Sequence, residues 1–414
     1  MAAFEHRDFR LYALARLFLV SGGQFISVAL AWQVLQLTNG SAWHLGLIGL
    51  AQFLPIAALS VFSGTVADRL DRRRIVQVCV LGSALAAGAL AWHAWKGTTT
   101  LWVAYSAAAG FGVVRAFSAP ANAALLSCLV PPKDLANAVT WQTIFFQASL
   151  IGGPTAAGFL YDARGPAWVY GGALSLYAGT VLCYLGLRPL PPVPRREEPF
   201  ARSLTEGLRF VLREKVLLGA VTLDLFAVLL GGATALMPLF AKEILGRGPE
   251  TLGLLKAAPA IGAGIAGFFF AVRPLRRHAG FALLLSVACF GASTVLFGLS
   301  RRYELAVLSL ALLGAFDTVS VVVRHTLIQL LTPNEMRGRV SAVAFVFISA
   351  SNELGDFESG VTAHWWGTIP AIIVGGAGTI GITLLWCLLF PGLRKVDRLD
   401  VSSPPQTAGE PPRP

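Results

Sequence analysis

Long apolar runs, separated by short polar stretches, fill almost the whole chain. Twelve can be marked. Six lie at about 11–37, 43–64, 74–95, 100–130, 137–160 and 166–187. Six more lie at about 215–241, 250–272, 279–299, 304–331, 339–364 and 367–391. Most are long enough to cross roughly 30 Å of hydrocarbon as tilted α-helices. The pattern predicts an all-α membrane protein with twelve transmembrane helices. The longest interruption, 188–214, holds Pro189, Pro191, Pro192, Pro194 and Pro199 among mixed charges. It reads as a linker closing on a surface helix near Leu204 to Leu212. The expected units are therefore a six-helix bundle over 1–187, a cytoplasmic linker over 188–214, and a second bundle over 215–392. The polar, Pro-rich stretch 393–414 is predicted to be a disordered cytoplasmic tail.

Composition narrows the class. A chain that is 55% hydrophobic, with mean hydropathy +0.65, is not an ordinary soluble domain. The net charge of +11 is read as basic cytoplasmic loops, not as a nucleic-acid surface. With both termini inside, cytoplasmic segments hold 23 of the 33 Lys and Arg residues, and outer loops hold 6. That asymmetry favours this orientation. Arg7 and Arg10 precede a first run too long for a signal-peptide core, so it reads as an uncleaved helix. Cys79, Cys128, Cys183, Cys289 and Cys387 lie far apart within apolar runs, so no metal, redox site or cofactor is implied. The absence of a Walker loop disfavours an ATP-driven pump, and no H-E-x-x-H or G-x-S-x-G motif points to an enzyme.

The two halves carry traces of a repeat. Val130-Pro-Pro-Lys-Asp-Leu-Ala-Asn-Ala-Val139 aligns with Leu331-Thr-Pro-Asn-Glu-Met-Arg-Gly-Arg-Val340 at an offset of 201 residues. Both stretches link a fourth helix to a fifth. Gly64…Arg73-Arg74 meets Gly267…Arg276-Arg277 at an offset of 203, with Ala271 opposite Asp68.

Charges inside spans are costly, by about 2.5–3.5 kcal/mol at the centre on insertion scales. They therefore face a cavity or a partner. Here they are Arg16, Arg115, Asp224, Lys256, Asp317, Arg324, Glu353, Asp356 and Glu358. Asp317 and Arg324 share a helix face but lie too far apart to pair, so something opposite must compensate each. Ser349, Asn352, Glu353 and Asp356 fall on one stripe of the eleventh helix, with Glu353 roughly 20 Å deep. Stacked carboxyls of this kind suit a proton-coupled carrier. The alternative is that they only pair with Arg115, Arg324 or Lys256 and hold the halves together. The proton-coupling candidates are Glu353, Asp356, Asp317 and Asp224. The substrate-cavity candidates are Arg16, Arg115, Arg324, His325 and Asn352. Arg16 could instead snorkel to the interface, and His325 could be a packing residue. Gly153, Pro154 and Gly158 in the fifth helix allow close packing and a bend. Trp92, Trp95, Trp102, Trp365 and Trp366 fall at outer boundaries as an interfacial belt.

The stretch Gly64-Thr-Val-Ala-Asp68-Arg69-Leu-Asp71-Arg72-Arg73-Arg74 is too charged for hydrocarbon and lies between two spans. It resembles the loop between helices 2 and 3 of the major facilitator superfamily, with Asp71 where that pattern usually has Gly. Val130 to Ala138, and Ser351-Asn-Glu-Leu-Gly-Asp-Phe-Glu-Ser-Gly360, are similar to the branch that holds bacterial enterobactin exporters and macrolide-efflux proteins. The resemblance implies two pseudo-symmetric six-helix bundles, a single cavity lined by helices 1, 4, 7 and 10, and alternating access. It also implies proton-driven antiport of a siderophore-like or drug-like amphipathic molecule by a monomer in the cell inner membrane. Gly64, Asp68, Arg69, Arg72 and Arg73 would then form the conformational latch. The expected partners are a small-molecule substrate, protons and the lipid bilayer. Proton-coupled uptake of a metabolite, and a scramblase or sensor that pumps nothing, stay open as alternatives.

Overall fold

The computed structural model of the chain describes residues 2–69, 71–188, 200–273, 277–333 and 335–397. Its N-terminal helices are α1 (Arg7–Leu37), α2 (Ala42–Arg69), α3 (Arg72–Trp95), α4 (Leu101–Leu125), α5 (Leu135–Arg164) and α6 (Pro166–Leu185). An amphipathic linker helix (Phe200–Arg213) follows. The second set is α7 (Lys215–Leu230), α8 (Pro249–Val272), α9 (Ala279–Leu299), α10 (Tyr303–Leu331), α11 (Arg337–Trp366) and α12 (Thr368–Leu389). Among the described residues, eleven spans meet the length and apolarity of a membrane crossing. The twelfth crossing is α11, whose 30 residues include Glu353, Asp356 and Glu358. The charge that marks it for function also lowers its hydropathy.

The span that starts as α7 is broken. The helix stops at Gly231, and the chain continues through short 3₁₀, α and π turns as far as Ile244. Gly231-Gly232 and Pro238 sit where it breaks. Glycine pairs and proline are the usual causes of such breaks. Exposed backbone of this kind is tolerated at membrane depth only inside protein or along a cavity.

The repeat read from the sequence extends to packing. In the first half α1 packs on α5 and α6, α4 on α2 and α3, and α3 on α6. In the second half α7 packs on α11 and α12, α10 on α8 and α9, and α9 on α12. Adding six to each helix number converts one set into the other. Links match too. The Leu135 amide donates to the Pro132 carbonyl, and the Met336 amide to the Pro333 carbonyl. The α5–α6 and α11–α12 links each turn on one left-handed glycine, Gly165 (φ 82°) and Gly367 (φ 88°). A side chain in either place would be strained.

The halves meet through two matching crossings, α2 against α11 and α5 against α8. Both are close because glycines face each other. A Cβ on Gly46 would stand 3.0 Å from the Gly360 Cα, and one on Gly158 would stand 3.0 Å from the Gly253 Cα. Small residues let helices approach in lipid, where packing drives association. Gly158 and Gly153 of the predicted helix-5 motif thus pack closely, Gly153 against Gln24 of α1. These contacts lie at the end of the molecule where α2, α4 and α8 begin. One apolar core runs continuously across that end, from Ile26 and Leu30 of α1 through Leu236 and Phe240 to Leu252 and Phe297. Nearer the other end, the second half has cores of its own, around Leu283 and Leu327 and around Leu217 and Val340. The tryptophans singled out in the sequence are exposed at the joined end, Trp95 and Trp102 most of all.

Candidate functional site

A cavity of about 650 Å³ lies between the halves. It is lined by α1, α2, α4 and α11, by single residues of α3, α5, α6 and α8, and by the turns after α7; α10, expected on its wall, contributes no residue among those described. The joined end closes it. From there it runs toward the end at which α1, α3 and α5 begin. Helix α1 lines it along its length, through Arg16, Val20, Gly23, Ser27 and Leu30. Those positions recur every three or four residues, which keeps them on one face.

The closed end carries a charged layer drawn from both halves. Arg115 of α4 forms an ion pair with Glu353 of α11. The side chain of Glu353 is 8% exposed and that of Arg115 is 49% exposed, so water reaches the pair from the cavity side only. One turn further along α11, Asp356 accepts a hydrogen bond from the Thr234 hydroxyl at 3.2 Å. Thr234 belongs to the broken stretch after α7, and the break presents it there. Lys256 of α8 interacts electrostatically with Asp356. Its ammonium donates to the Ser27 hydroxyl of α1 at 2.8 Å, again across the seam. The Gln147 amide of α5 donates to the Ala260 carbonyl of α8. Helix α2 packs on the same layer, since a Cβ on Gly49 would touch the Asp356 Cβ at 3.0 Å.

A second charged cluster lies elsewhere, inside the C-terminal half. Arg324 of α10 pairs with Asp224 of α7, and their side chains are 3% and 8% exposed. Asp317 lies beside them, and a void of about 10 Å³ separates Asp224, Asp317 and Ser320. Asp224 is the group opposite Arg324 that the sequence required. Asp317 stays off the cavity wall with them, and so does His325, although His325 is exposed. Asn352 is exposed and gives its amide to the Ile348 carbonyl at 2.9 Å. Of the five substrate-cavity candidates, Arg16 and Arg115 line the cavity. Arg324, His325 and Asn352 correct the expectation. The helical stripe was right for Arg324, but its face turns into the half, where a carboxylate awaits it.

Three groups of this charged layer, Lys256, Ser27 and Thr234, are not legible as such in the sequence. Lys256 stood out as an intramembrane charge, but nothing local tied it to α11. Ser27 and Thr234 carry no sequence signal of their own. The glycine pair and proline that break α7 were the signal that could have found Thr234.

At the opposite end, the basic loop is partly described. Gly64, Asp68 and Arg69 belong to α2 and Ser349 to α11, but the structure does not describe their side chains. Asp71 caps α3, accepting from the Arg73 amide at 2.9 Å. An aspartate suits an N-cap, which explains its presence where the resembled pattern has glycine. Arg73 donates to the Tyr184 and Leu185 carbonyls at 3.2 and 2.9 Å, satisfying the free end of α6. Arg72 reaches Cys128. Arg339 at the start of α11 pairs with Glu206 of the linker helix. The prolines of the linker, Arg276 of the second loop and the 398–414 tail lie outside the described residues.

Known proteins with this architecture are transporters. A mutant of the nucleoside transporter NupG superposes with a TM-score of 0.73 at 13% identity, over 92% of this chain and 99% of that one. A D-xylose–proton symporter gives 0.69 at 15% identity, over 94% and 98%. At such identities the likeness establishes the fold. Sequence relatives are nearer. The enterobactin exporter EntS of Shigella boydii serotype 18 is 26% identical over 410 residues, covering 98% of this chain and 96% of its own. EntS of Escherichia coli strain SMS-3-5 is 26% identical over 412 residues with the same coverage. A family model described as transmembrane secretion effector matches residues 1–411. The chain therefore belongs to the transmembrane secretion effector family of the major facilitator superfamily, and is a multi-pass membrane transporter.

Proposed function

We propose that this chain exports an amphipathic organic molecule, siderophore-like or drug-like, from the cytoplasm across the inner membrane in exchange for protons. Both termini are cytoplasmic in this reading, as the Lys and Arg distribution favours. The structure then corresponds to the inward-facing member of an alternating-access cycle. The export direction follows the relatives, which are named as exporters.

The observation that carries the coupling is the ion pair of Arg115 and Glu353 across the seam, with Asp356 and Lys256 beside it. In the inward-facing state Glu353 is ionised and held by the opposite half. A substrate arriving from the cytoplasm displaces the proton held on Asp356, which leaves to the cytoplasm, and loosens the seam. When the halves part at the outer end, the freed carboxyls face the outside and take up protons. Protonation removes their charge, so the substrate leaves and the halves return. On the inner side Arg115 draws Glu353 back into its ionised form, and Asp356 keeps its proton until the next substrate arrives. Thr234 and Ser27 hold Asp356 and Lys256 in place meanwhile.

The test is proton release from detergent-purified protein on adding candidate ligands, a catecholate siderophore and a macrolide among them. Ligand-dependent release is expected from the wild type and is expected to be lost in Glu353→Gln or Asp356→Asn. Tight binding without proton release at any pH from about 5 to 8, the range a carrier near neutrality must cover, would contradict the exchange.

A further inference from the structure

The charges that line the cavity do not balance. Arg115 is paired with Glu353, and Lys256 lies against Asp356 and Ser27. Arg16 is the third cation on the cavity wall. Among the described residues it has no ion-pair or hydrogen-bond partner, and its buried Nε is unsatisfied. Its charged neighbours in the electrostatic sense are the hydroxyls of Tyr12 and Tyr184, which are neutral donors. Tyr12 and Tyr184 are themselves occupied with Asn122. A guanidinium cannot shed its charge, and the buried Nε–H of Arg16 lacks an acceptor, which carries the cost of an unmade hydrogen bond. The missing partner is an acceptor that comes and goes.

Arg16 is placed apart from the carboxylates. Eleven residues separate it from Ser27 on the same face of α1, about 16 Å along the axis at 1.5 Å per residue. Arg16 stands toward the inner mouth, while Ser27 and Lys256 mark the closed end. Between them Phe111 and Tyr177 line the wall as an aromatic pair, ring centroids 6.4 Å apart. The Gln142 amide oxygen, in the same cavity, is also buried without a partner. The cavity thus has a cationic end, an aromatic flank and an acid–base end.

We propose that Arg16 is the anchor for the anionic group of the substrate, so that the exported molecule is an aromatic organic anion bound by Arg16 at the inner mouth with its apolar body on Phe111 and Tyr177. The inference rests on the transport reading and deepens it by naming the substrate class. The separation from Glu353 and Asp356 keeps the anion's charge from repelling the carboxylates and holding their protons on. Loading an anion and releasing a proton are therefore compatible in one cavity.

The test uses one aromatic core with three head groups: pyrenebutyrate, its methyl ester, and the matching pyrene amine. Binding to the full-length protein in nanodiscs is read by fluorescence for wild type, Arg16→Gln, Arg16→Lys and Phe111→Ala. Wild type is expected to prefer the carboxylate. Losing one charge-assisted contact should cost the carboxylate roughly 10- to 100-fold in Arg16→Gln and leave the ester unchanged. Arg16→Lys should restore most of the preference, and Phe111→Ala should weaken all three probes alike. Ester binding by Arg16→Gln certifies that this variant is folded. Equal affinity of wild type for carboxylate and amine, or a preference unmoved by Arg16→Gln, overturns the anion assignment while leaving the transport cavity standing. Failure of all three probes to bind wild type counts against the cavity reading itself.

Discussion

Arg115–Glu353 and Arg324–Asp224 are both arginine–carboxylate pairs within the span region, yet their settings differ. The first joins α4 to α11 across the seam, and Arg115 is half open to the cavity. The second joins α7 to α10 within one half, and both side chains are nearly sealed. A pair that must part and re-form needs water or a ligand to receive its arginine when the carboxylate leaves. A pair that only holds two helices together has no such need. The difference separates a moving joint from a fixed one, although the residue types are the same.

The comparison can be broken most severely at the fixed pair. Replacing Asp224 by Asn strands a buried guanidinium, which typically costs about 3–5 kcal/mol. The expected outcome is a steep loss of folded protein and a lower thermal midpoint in detergent, before transport is considered. The next effect concerns the crossings that close the joint. A leucine at Gly46 cannot fit against Gly360, and such overpacking costs about 1–3 kcal/mol. Gly46→Leu should leave each half folded but shift the protein away from the state closed at the joined end, read as faster labelling of Leu30→Cys, with the native cysteines replaced, by an impermeant reagent. Glu353→Gln should weaken the seam by about 1–2 kcal/mol, a population shift of roughly 5- to 30-fold. Its melting temperature should stay near that of wild type while ligand-driven proton release disappears. The smallest effect is expected from Arg73→Gln. It removes two bonds to the end of α6 at a partly exposed site, about 0.5–1 kcal/mol. Thermal melts should detect it, and proton release should persist.

Much of this fold was legible because lipid imposes a simple rule on sequence. Twelve apolar runs became twelve spans, and the Pro-rich break fell between two sixes. The link after Pro132 and its copy after Pro333 fold alike. Intramembrane charges flagged the right residues as unusual, since every buried charge needs a reason. Which way each charge faces was not legible. Arg16 and Arg324 look alike in the sequence, but one lines the cavity and the other meets Asp224. That outcome depends on helix rotation and on partners 100 or more residues away, and a single sequence does not contain them. The break in α7 was spelled by Gly231-Gly232 and Pro238. Its consequence, Thr234 reaching Asp356, is set by the packing of α11.

In the proposed cycle the Arg115–Glu353 pair holds the joined end shut, and the Asp224–Arg324 cluster takes no part. Spin labels at Thr98 and Arg301, exposed in loops of opposite halves at the joined end, report that opening by pulsed electron–electron distances. The native cysteines are replaced beforehand. Wild type is expected to give mainly the short, closed distance. Glu353→Gln should move a substantial fraction to longer distances, and Asp317→Asn, in the sealed cluster, should leave the distribution in place. An unchanged distribution in Glu353→Gln, or an equal opening in Asp317→Asn, would contradict the division between joint and scaffold.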